Sequence, residues 1–274
     1  MINNKLNKTK EYILNPSALS YLCYHCEYMK QNYDLYNSSI SAGITQTLDG
    51  IQKKYFLGDS TKIDKKLKDG ETIDPYNITF FSKLLFDDKN RPFRILGKGD
   101  AIIKFKDGTC GIVDYKTSKF KKKDNKDQFK EKDLLKKVKE YDPQLHAYYL
   151  LYSNLENDPI FLEKKYKLKY PDSKKESVSR HIDRTLNRIE EIKVSKPKIF
   201  GLVFVYPENS NFDKGKYVEF SHTFKEVKID IKNFKKKVTN YLDVMHKLEP
   251  PEPNKDCCGL MHNFFFDKKK LKKL

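Results

Sequence analysis

The sequence predicts an α/β fold in which helices cover a β-sheet, and three observations lead to this prediction. Residues 93–118 contain two alternating apolar runs around Asp107-Gly108, a dipeptide typical of a tight turn between strands. Residues 198–206 form a nearly continuous apolar run, which is typical of a strand covered on both faces. Other segments carry apolar residues at helical spacing.

The chain has 274 residues, of which 38% are hydrophobic and 13% aromatic. This composition supports a substantial core in a single domain and argues against disorder. Lysine and arginine exceed aspartate and glutamate by 55 to 38, a net charge of +17. Such an excess favours a polyanionic partner, either nucleic acid or an anionic membrane surface. The alternative is a lysine-rich proteome, in which the charge has no functional meaning.

No apolar run approaches the roughly 20 residues needed to cross a bilayer, and the first residues lack the apolar stretch of a secretory signal. We therefore expect a soluble, cytoplasmic protein. Five cysteines form an odd set, which fits reduced thiols or metal ligands better than a disulfide framework.

The first third of the chain is predicted to be largely helical. Asn15 and Pro16 are typical of a helix cap and a first helical position, and the helix should extend past Leu22 to Cys26. A second helix is predicted over residues 41–56. Residues 59–75 are polar and are predicted to be a loop, and residues 78–86 a short strand.

The rest of the chain alternates helices and strands. A lysine-dense stretch over residues 120–140, partly helical or mobile, precedes a helix predicted from Asp142-Pro143 to Leu155. An amphipathic helix is expected within residues 156–197, a strand over 217–227 and a closing helix over 230–248.

These elements predict one domain spanning residues 1–274. We expect an N-terminal helical part at 1–58 and a core formed by 78–155 and 198–248. Residues 156–197 are interpreted as an insertion, and residues 249–274 as a tail rich in cysteine and lysine.

The predicted hairpin carries the residues best suited to chemistry. Because side chains alternate across a strand, Asp114 and Lys116 project from the same face. If Asp100 joins them, two carboxylates come close together, and a divalent cation with all-oxygen ligation removes their repulsion. The amine of Lys116 could then orient a water or stabilise charge on a phosphate. The alternative is an internal ion pair between Asp114 and Lys116 at a sheet edge.

The length of the turn decides whether this site can form. A two-residue turn at Asp107-Gly108 would place Asp100 opposite Tyr115, on the wrong face. A loop with an odd number of residues pairs Asp100 with Lys116 and places the apolar residues of both strands on one face. We therefore predict a turn of three or five residues, or a bulge at Gly108.

A following helix could complete the site. Gln144 and Tyr148 are four residues apart and share a helical face, from which both could reach the carboxylates. The alternative is that Tyr148 and Tyr152 are simply core aromatics.

Together these segments resemble a known family. The resemblance is carried by Gly97-Lys98-Gly99-Asp100-Ala101-Ile102-Ile103, then Gly111-Ile112-Val113-Asp114-Tyr115-Lys116-Thr117-Ser118, then Gln144-Leu145-His146-Ala147-Tyr148. Their order resembles the RecB-like branch of the PD-(D/E)XK nuclease superfamily, which includes the CRISPR-associated iron–sulfur exonucleases. It spans most of the chain except residues 156–197 and the lysine-rich ends.

The resemblance implies a restriction-endonuclease-like core, with a mixed central β-sheet flanked by α-helices, and metal-dependent hydrolysis of DNA phosphodiester bonds. By the same resemblance, Asp100, Asp114 and the backbone carbonyl of Tyr115 hold Mg²⁺ or Mn²⁺. Lys116 assists the attacking water, and Gln144 with Tyr148 completes the pocket or contacts DNA.

The chain departs from the family pattern in two places. Many relatives carry a metal-binding histidine in the early helix, whereas this helix has none. Gln46 or Asp49 could substitute, or either residue could only cap or solvate the helix. The number of metal ions is therefore open.

The second departure concerns the cysteines. The iron–sulfur relatives use one early and three late cysteines, whereas this chain has Cys23 and Cys26 early and Cys257 and Cys258 late. These four could hold an iron–sulfur cluster, or His25 and His262 could complete a Zn²⁺ site with them. The alternative is a set of reduced, partly buried thiols.

Basic runs could follow a phosphate backbone independently of sequence. The first run, immediately after Lys116, contains Lys119, Lys121, Lys122 and Lys123, and a second covers residues 268–273. The alternative is that both are solvated segments.

The predicted function is therefore a metal-dependent nuclease acting on single- or double-stranded DNA. It could work with a protein partner in a repair, recombination or CRISPR complex, and we expect no membrane association. The first alternative is a DNA-binding module or partner subunit that keeps the nuclease fold without efficient cleavage. The second is a basic RNA-binding protein without nuclease ancestry.

Overall fold

The computed structural model describes residues 10–20, 23–33, 43–74, 78–117, 131–193, 196–207 and 220–253. In chain order the elements are β1 (Tyr12–Leu14), α1 (Pro16–Ser20), α2 (Tyr24–Tyr33), α3 (Gly43–Phe56), β2 (Gly58–Asp59), β3 (Gly70–Ile73), β4 (Phe80–Phe81), β5 (Leu85–Phe86), β6 (Pro92–Gly97), β7 (Ala101–Phe105), β8 (Thr109–Thr117), α4 (Glu131–Ser153), α5 (Pro159–Lys169), α6 (Lys175–Lys193), β9 (Lys196–Pro207), β10 (Phe220–Glu226) and α7 (Ile231–Met245). Two short 3₁₀ turns, Ser60–Lys62 and Lys65–Leu67, lie between β2 and β3.

The main sheet has six strands in the order β10-β9-β8-β7-β3-β2. Strands β8 and β9 are parallel and the other neighbours are antiparallel, so the sheet is mixed. A smaller sheet forms around β6, which pairs with β1, β4 and β5. The predicted α/β fold with a mixed central sheet is confirmed. In the described ranges, the helices are too short or too polar to cross a membrane.

The six-stranded sheet is covered on both faces because apolar side chains alternate along its central strands. One face presents Ile112, Leu202 and Phe204 to a core that includes residues of α4 and α7. The other presents Val113, Val203 and their neighbours to Phe56 of α3 and to Ile63 and Leu67 of the 3₁₀ turns. The continuous apolar run predicted as a central strand is thus β9.

The hairpin of β7 and β8 confirms the prediction of a turn with an odd number of residues. Its loop contains residues 106–108, and Gly108 has φ +76°, a left-handed conformation that favours glycine. Ala101 pairs with Val113. The predicted pairing of Asp100 with Lys116 is therefore wrong by two residues, because the three-residue loop is centred on Asp107 rather than on Gly108. An even shift keeps every side chain on its predicted face.

Two predicted element boundaries are wrong. Helix α4 begins at Glu131, so Pro143 lies inside it rather than at its start. Buried residues on both sides of the proline, among them Leu134, Tyr141 and Leu145, keep the helix continuous despite the missing backbone donor. The segment predicted as a loop over 59–75 contains β3, which pairs with β7. The sequence did not predict this strand because its residues lack an alternating apolar pattern, and only Thr72 is buried.

Two further predicted elements are divided. The strand predicted over 78–86 forms β4 and β5, separated where the Ser82 hydroxyl oxygen accepts a hydrogen bond from the backbone N–H of Ile95. The first predicted helix starts at Pro16 as expected, but α1 ends at Ser20 and α2 follows from Tyr24, with residues 21–22 outside the described ranges.

The remaining predicted elements are present, as α3, β10 and α7 and as the amphipathic α6. Residues 217–219 and most of the predicted tail lie outside the description. Helices α5 and α6 pack together through Leu162, Val178 and Ile182. Ile189 and Ile192 of α6 join the main core. The division of the chain into core and insertion stays a prediction.

Candidate functional site

Asp114 is a buried carboxylate in the middle of the main sheet. Strand β8 lies between β7 and β9, so Asp114 is not at a sheet edge. Its side chain is only 4% exposed. Its Oδ1 accepts hydrogen bonds from Gln144 Nε2 at 3.0 Å and from the Tyr148 hydroxyl at 3.1 Å. A charge at this depth is stable only when it is compensated.

Lys116 provides one part of that compensation. Its Nζ lies 2.5 Å from Oδ2 of Asp114 and donates to Oε1 of Gln144 at 2.9 Å. Oδ2 itself accepts no hydrogen bond from the described residues. The ammonium also lies 4.5 Å from the centroid of the Tyr141 ring, a favourable cation–π distance. The ion pair expected as an alternative is thus present, but within a larger polar cluster.

Helix α4 supplies the rest of the cluster. Gln144 and Tyr148 face β8 from one side of the helix, as their spacing predicted, and Gln144 Nε2 lies 3.0 Å from the Tyr148 hydroxyl. The hydroxyl is also 2.7 Å from the carbonyl oxygen of Lys98. One amide and one hydroxyl therefore fix the orientation of Asp114 and Lys116. The hydroxyl of Tyr152, one helical turn further along, accepts a hydrogen bond from the backbone N–H of Gly99.

Asp100 lies directly before β7 and approaches the same cluster. Its Oδ2 accepts the backbone N–H of Tyr115 at 2.9 Å. Burial, together with the negative charge of Asp114, raises the pKa of Asp100 well above its ordinary value. The structure thus brings together all five predicted side chains. We define the candidate site as Asp100, Asp114, Lys116, Gln144 and Tyr148.

Lys53 of α3 is a member of this neighbourhood that the sequence analysis missed. Its Nζ is 3.3 Å from Oδ1 of Asp100 and 2.8 Å from Oδ2 of Asp49. From the sequence, only the spacing of Asp49 and Lys53 was visible, and such pairs are common on solvated helices. Asp49, predicted as a substitute ligand, is thus linked to Asp100 through an amine. Gln46 lies in α3, but its side chain is outside the description.

Other predicted binding residues cannot be placed. Lys119, Lys121, Lys122 and Lys123 lie outside the described residues, as do Cys257 and Cys258. Cys23 is buried immediately before α2, and Cys26 is half-buried within it. The described ranges contain no group of three or more His, Cys, Asp and Glu residues suited to a metal ion. The proposed ligand role of the Tyr115 carbonyl and a cysteine-bound metal stay predictions.

A family model and a solved structure both match this chain. Residues 39–257 match a family model described as the PD-(D/E)XK nuclease superfamily. A solved structure titled "Crystal structure of SSO0001" is similar with a TM-score of 0.41 and 12% identity, over 95% of this chain and 88% of that one. No match to a curated protein was found.

Proposed function

This chain belongs to the PD-(D/E)XK nuclease superfamily, and from that premise we propose that it hydrolyses DNA phosphodiester bonds with the help of Mg²⁺ or Mn²⁺. We further propose that it is of the RecB-like type. The succession of Asp100, Asp114, Lys116, Gln144 and Tyr148 supports this assignment, as does the position of the last two residues on one helix above the first three.

The observation that carries the proposal is the proximity of two carboxylates, Asp100 and Asp114, beside the ammonium of Lys116. Burial, together with repulsion from Asp114, raises the pKa of Asp100. Oδ2 of Asp114 is paired with the Lys116 ammonium at 2.5 Å and has no other partner among the described residues. A cluster of carboxylate oxygens that keeps a net negative charge suits a hard divalent cation. The residues present therefore fit Mg²⁺ or Mn²⁺.

The residues of the site have distinct tasks in this proposal. A divalent cation, when bound, would lower the pKa of a water and neutralise phosphate oxygens. Asp100 and Asp114 would hold that cation. Lys116, kept in place by Gln144, would orient the attacking water or stabilise negative charge on the phosphate. Tyr148 would hold Asp114 in one orientation through its hydroxyl.

The net charge of +17 supports DNA as the substrate, because nonspecific binding to phosphate backbones depends on such an excess. A protein partner in a repair, recombination or CRISPR complex is part of the same proposal.

Cleavage of labelled single- and double-stranded DNA in Mn²⁺, Mg²⁺ or EDTA tests the proposal. Wild type should cut only with a divalent ion, and Asp114→Asn should reduce cleavage by at least about 10³-fold because it removes a metal-binding charge. The matched control is Asp107→Asn in the same hairpin, since Asp107 is exposed and contacts Thr109 and Lys198 in the turn region. It should cut like wild type.

The same assay separates the alternatives. Metal-dependent cutting that survives Asp114→Asn would show that the site is assigned wrongly. A wild-type protein that binds DNA but never cuts would favour a DNA-binding module that has kept the nuclease fold.

A further inference from the structure

Lys53 holds an unusual position for a residue on a helix surface. It extends from α3 between two carboxylates, Asp49 on its own helix and Asp100 at the start of β7. Its side chain is 24% exposed, compared with 47% for Asp49. The next residue, Lys54, carries the same charge but is exposed and forms no ion pair within the described residues. Lys53 therefore forms these ion pairs because of the side of α3 on which it lies, and not merely because it is a lysine.

The charges around Asp100 nearly balance before any ion binds. Four carboxylates, Asp49, Asp74, Asp100 and Asp114, act on this neighbourhood together with three amines, Lys53, Lys98 and Lys116. With every group ionised, as at a pH above the raised pKa of Asp100, the sum is −4 + 3 = −1. One dication would bring the cluster to +1, whereas a second would bring it to +3.

The two amines nearest Asp100 and Asp114 each contact a different one of these two carboxylates. Lys116 contacts Asp114, and Lys53 contacts Asp100 on the side facing α3. Two carboxylates at ion-pair distance, Asp49 at 2.8 Å and Asp100 at 3.3 Å, stabilise the ammonium form of Lys53. Lys53 therefore remains cationic at neutral pH, between the acid of α3 and the acid of the hairpin.

We propose that Lys53 is a built-in counter-cation for Asp100, which occupies the α3 side of the site and limits it to one divalent ion. This inference rests on the proposed function, because it assumes that Asp100 and Asp114 bind a metal. Lys53 is a positioning residue in this view. Its ammonium keeps Asp49 away from the metal and neutralises the oxygen of Asp100 that faces the helix.

The expected effect of removing the amine follows from electrostatics. Without Lys53 the cluster has a net charge of −2, and Asp49 can turn toward Asp100 as an additional oxygen ligand. At an effective dielectric constant of about 20, a unit charge a few ångströms away changes a dication's affinity by more than about tenfold. Lys53→Met should therefore bind the first Mn²⁺ at least about tenfold more tightly and acquire a second, weaker Mn²⁺.

Titration of Mn²⁺ into the full chain, followed by the electron paramagnetic resonance signal of free Mn²⁺, measures both quantities without reference to cleavage. Wild type, Lys53→Arg and the matched control Lys54→Met should each bind one ion with similar affinity. Asp114→Asn shows whether that ion occupies the candidate site. Circular dichroism of each variant checks that it is folded.

The outcomes distinguish the two proposals. One ion in wild type and two in Lys53→Met supports the counter-cation role. Identical stoichiometry and affinity in both proteins, or weaker binding in folded Lys53→Met, overturns that role and leaves the proposed function standing. No Mn²⁺ binding by wild type, or binding unaffected by Asp114→Asn, overturns both.

Discussion

Asp100 lies close enough to Asp114 for the two charges to repel, and this repulsion has a cost for the metal-free protein. Because burial and the charge of Asp114 raise the pKa of Asp100, the folded chain binds its proton more tightly than the unfolded chain does. The free energy of unfolding therefore decreases as the pH rises from the ordinary pKa of aspartate toward the raised value. At neutral and higher pH the protein is under electrostatic strain that a bound dication would relieve.

Asp100→Asn should remove this strain. In EDTA above neutral pH, we expect the variant to be more stable than wild type by at least about 1 kcal/mol, because the pKa of Asp100 is raised to about 7 and each pKa unit corresponds to about 1.4 kcal/mol. Below about pH 3, where the carboxyl is protonated in both folded and unfolded wild type, the difference should vanish. Thermal unfolding across this pH range measures the effect, and cleavage by the same variant should be lost.

Asp107→Asn provides the comparison for this measurement. Hydrogen bonds from Thr109 lower the pKa of the Asp107 carboxyl, and the residue is exposed. Its replacement should give no gain in stability at any pH. A metal-free Asp100→Asn protein that unfolds more easily than wild type at high pH would show that the repulsion is not the dominant interaction of Asp100.

Two of the tyrosines of α4, Tyr148 and Tyr152, allow a structural hydroxyl to be told apart from a functional one. Tyr148→Phe removes a hydroxyl that contacts Asp114, Gln144 and the Lys98 carbonyl. Tyr152→Phe removes one that contacts the backbone of Gly99. Because each change leaves buried polar groups without a partner, each should lower stability by about 1–3 kcal/mol.

Only Tyr148→Phe should also reduce DNA cleavage, by about tenfold or more at a temperature where both variants are folded, because it removes one of the two hydrogen bonds that orient Oδ1 of Asp114. Denaturant unfolding and initial cleavage rates measure the two effects. Equal losses of cleavage in both variants would contradict a specific role for the Tyr148 hydroxyl.

At the level of single residues, the sequence predicted the site where alternation and helical spacing were sufficient. Asp114 and Lys116 share a face because side chains alternate along β8, and Gln144 and Tyr148 share one because they are four apart. Lys53 could not be predicted, because its contact with Asp100 depends on how α3 lies against β8. The hydrogen bond from Gln52 to Thr117 joins those two elements across 65 residues of sequence.

At the level of elements, the predictions were good where the apolar pattern was strong, whether continuous or periodic. Strand β9 and helix α6 have such patterns, and both were predicted. Strand β3 was missed because it has only four residues, one of them buried, and gains its structure by pairing with β7. The start of α4 was missed because its first turns are rich in lysine and because proline is more common at a helix start than inside one.

Gly201 tests the packing between β9 and β10. A Cβ at this position would overlap Cε2 and Cζ of Phe224, whose ring covers the glycine from the neighbouring strand. Gly201→Ala should therefore destabilise the protein by about 1–3 kcal/mol through overpacking. Chemical denaturation measures this loss.

A second substitution should restore part of the lost stability. Phe224→Leu shortens the side chain that the new methyl group would meet, so the double variant should lose less than the sum of the two single changes. Additive losses would show that the strands separate instead of repacking around the added methyl group.

At the level of the whole molecule, the mixed sheet and its helices bring residues from three distant parts of the chain together. Asp100 and Asp114 come from the hairpin, Gln144 from α4 and Lys53 from α3. The order of the short motifs predicted this arrangement only through resemblance to a family, because local patterns do not specify how helices pack on a sheet. The net charge, by contrast, is a property of the whole sequence and is independent of the fold.

That charge gives the last prediction, which concerns DNA binding without cleavage. Binding of single-stranded DNA to Asp114→Asn in EDTA should weaken steeply with salt, because each neutralised phosphate releases about 0.7 of a counterion. Replacing Lys119, Lys121, Lys122 and Lys123 by alanine should weaken binding and reduce the slope of log affinity against log salt by about 2–3. Fluorescence anisotropy at several salt concentrations measures both. The matched control replaces four exposed lysines elsewhere, Lys65, Lys66, Lys68 and Lys106. Equal reductions in both variants would mean that affinity follows net charge alone, and that the basic run after Lys116 is not a specific path for the DNA backbone.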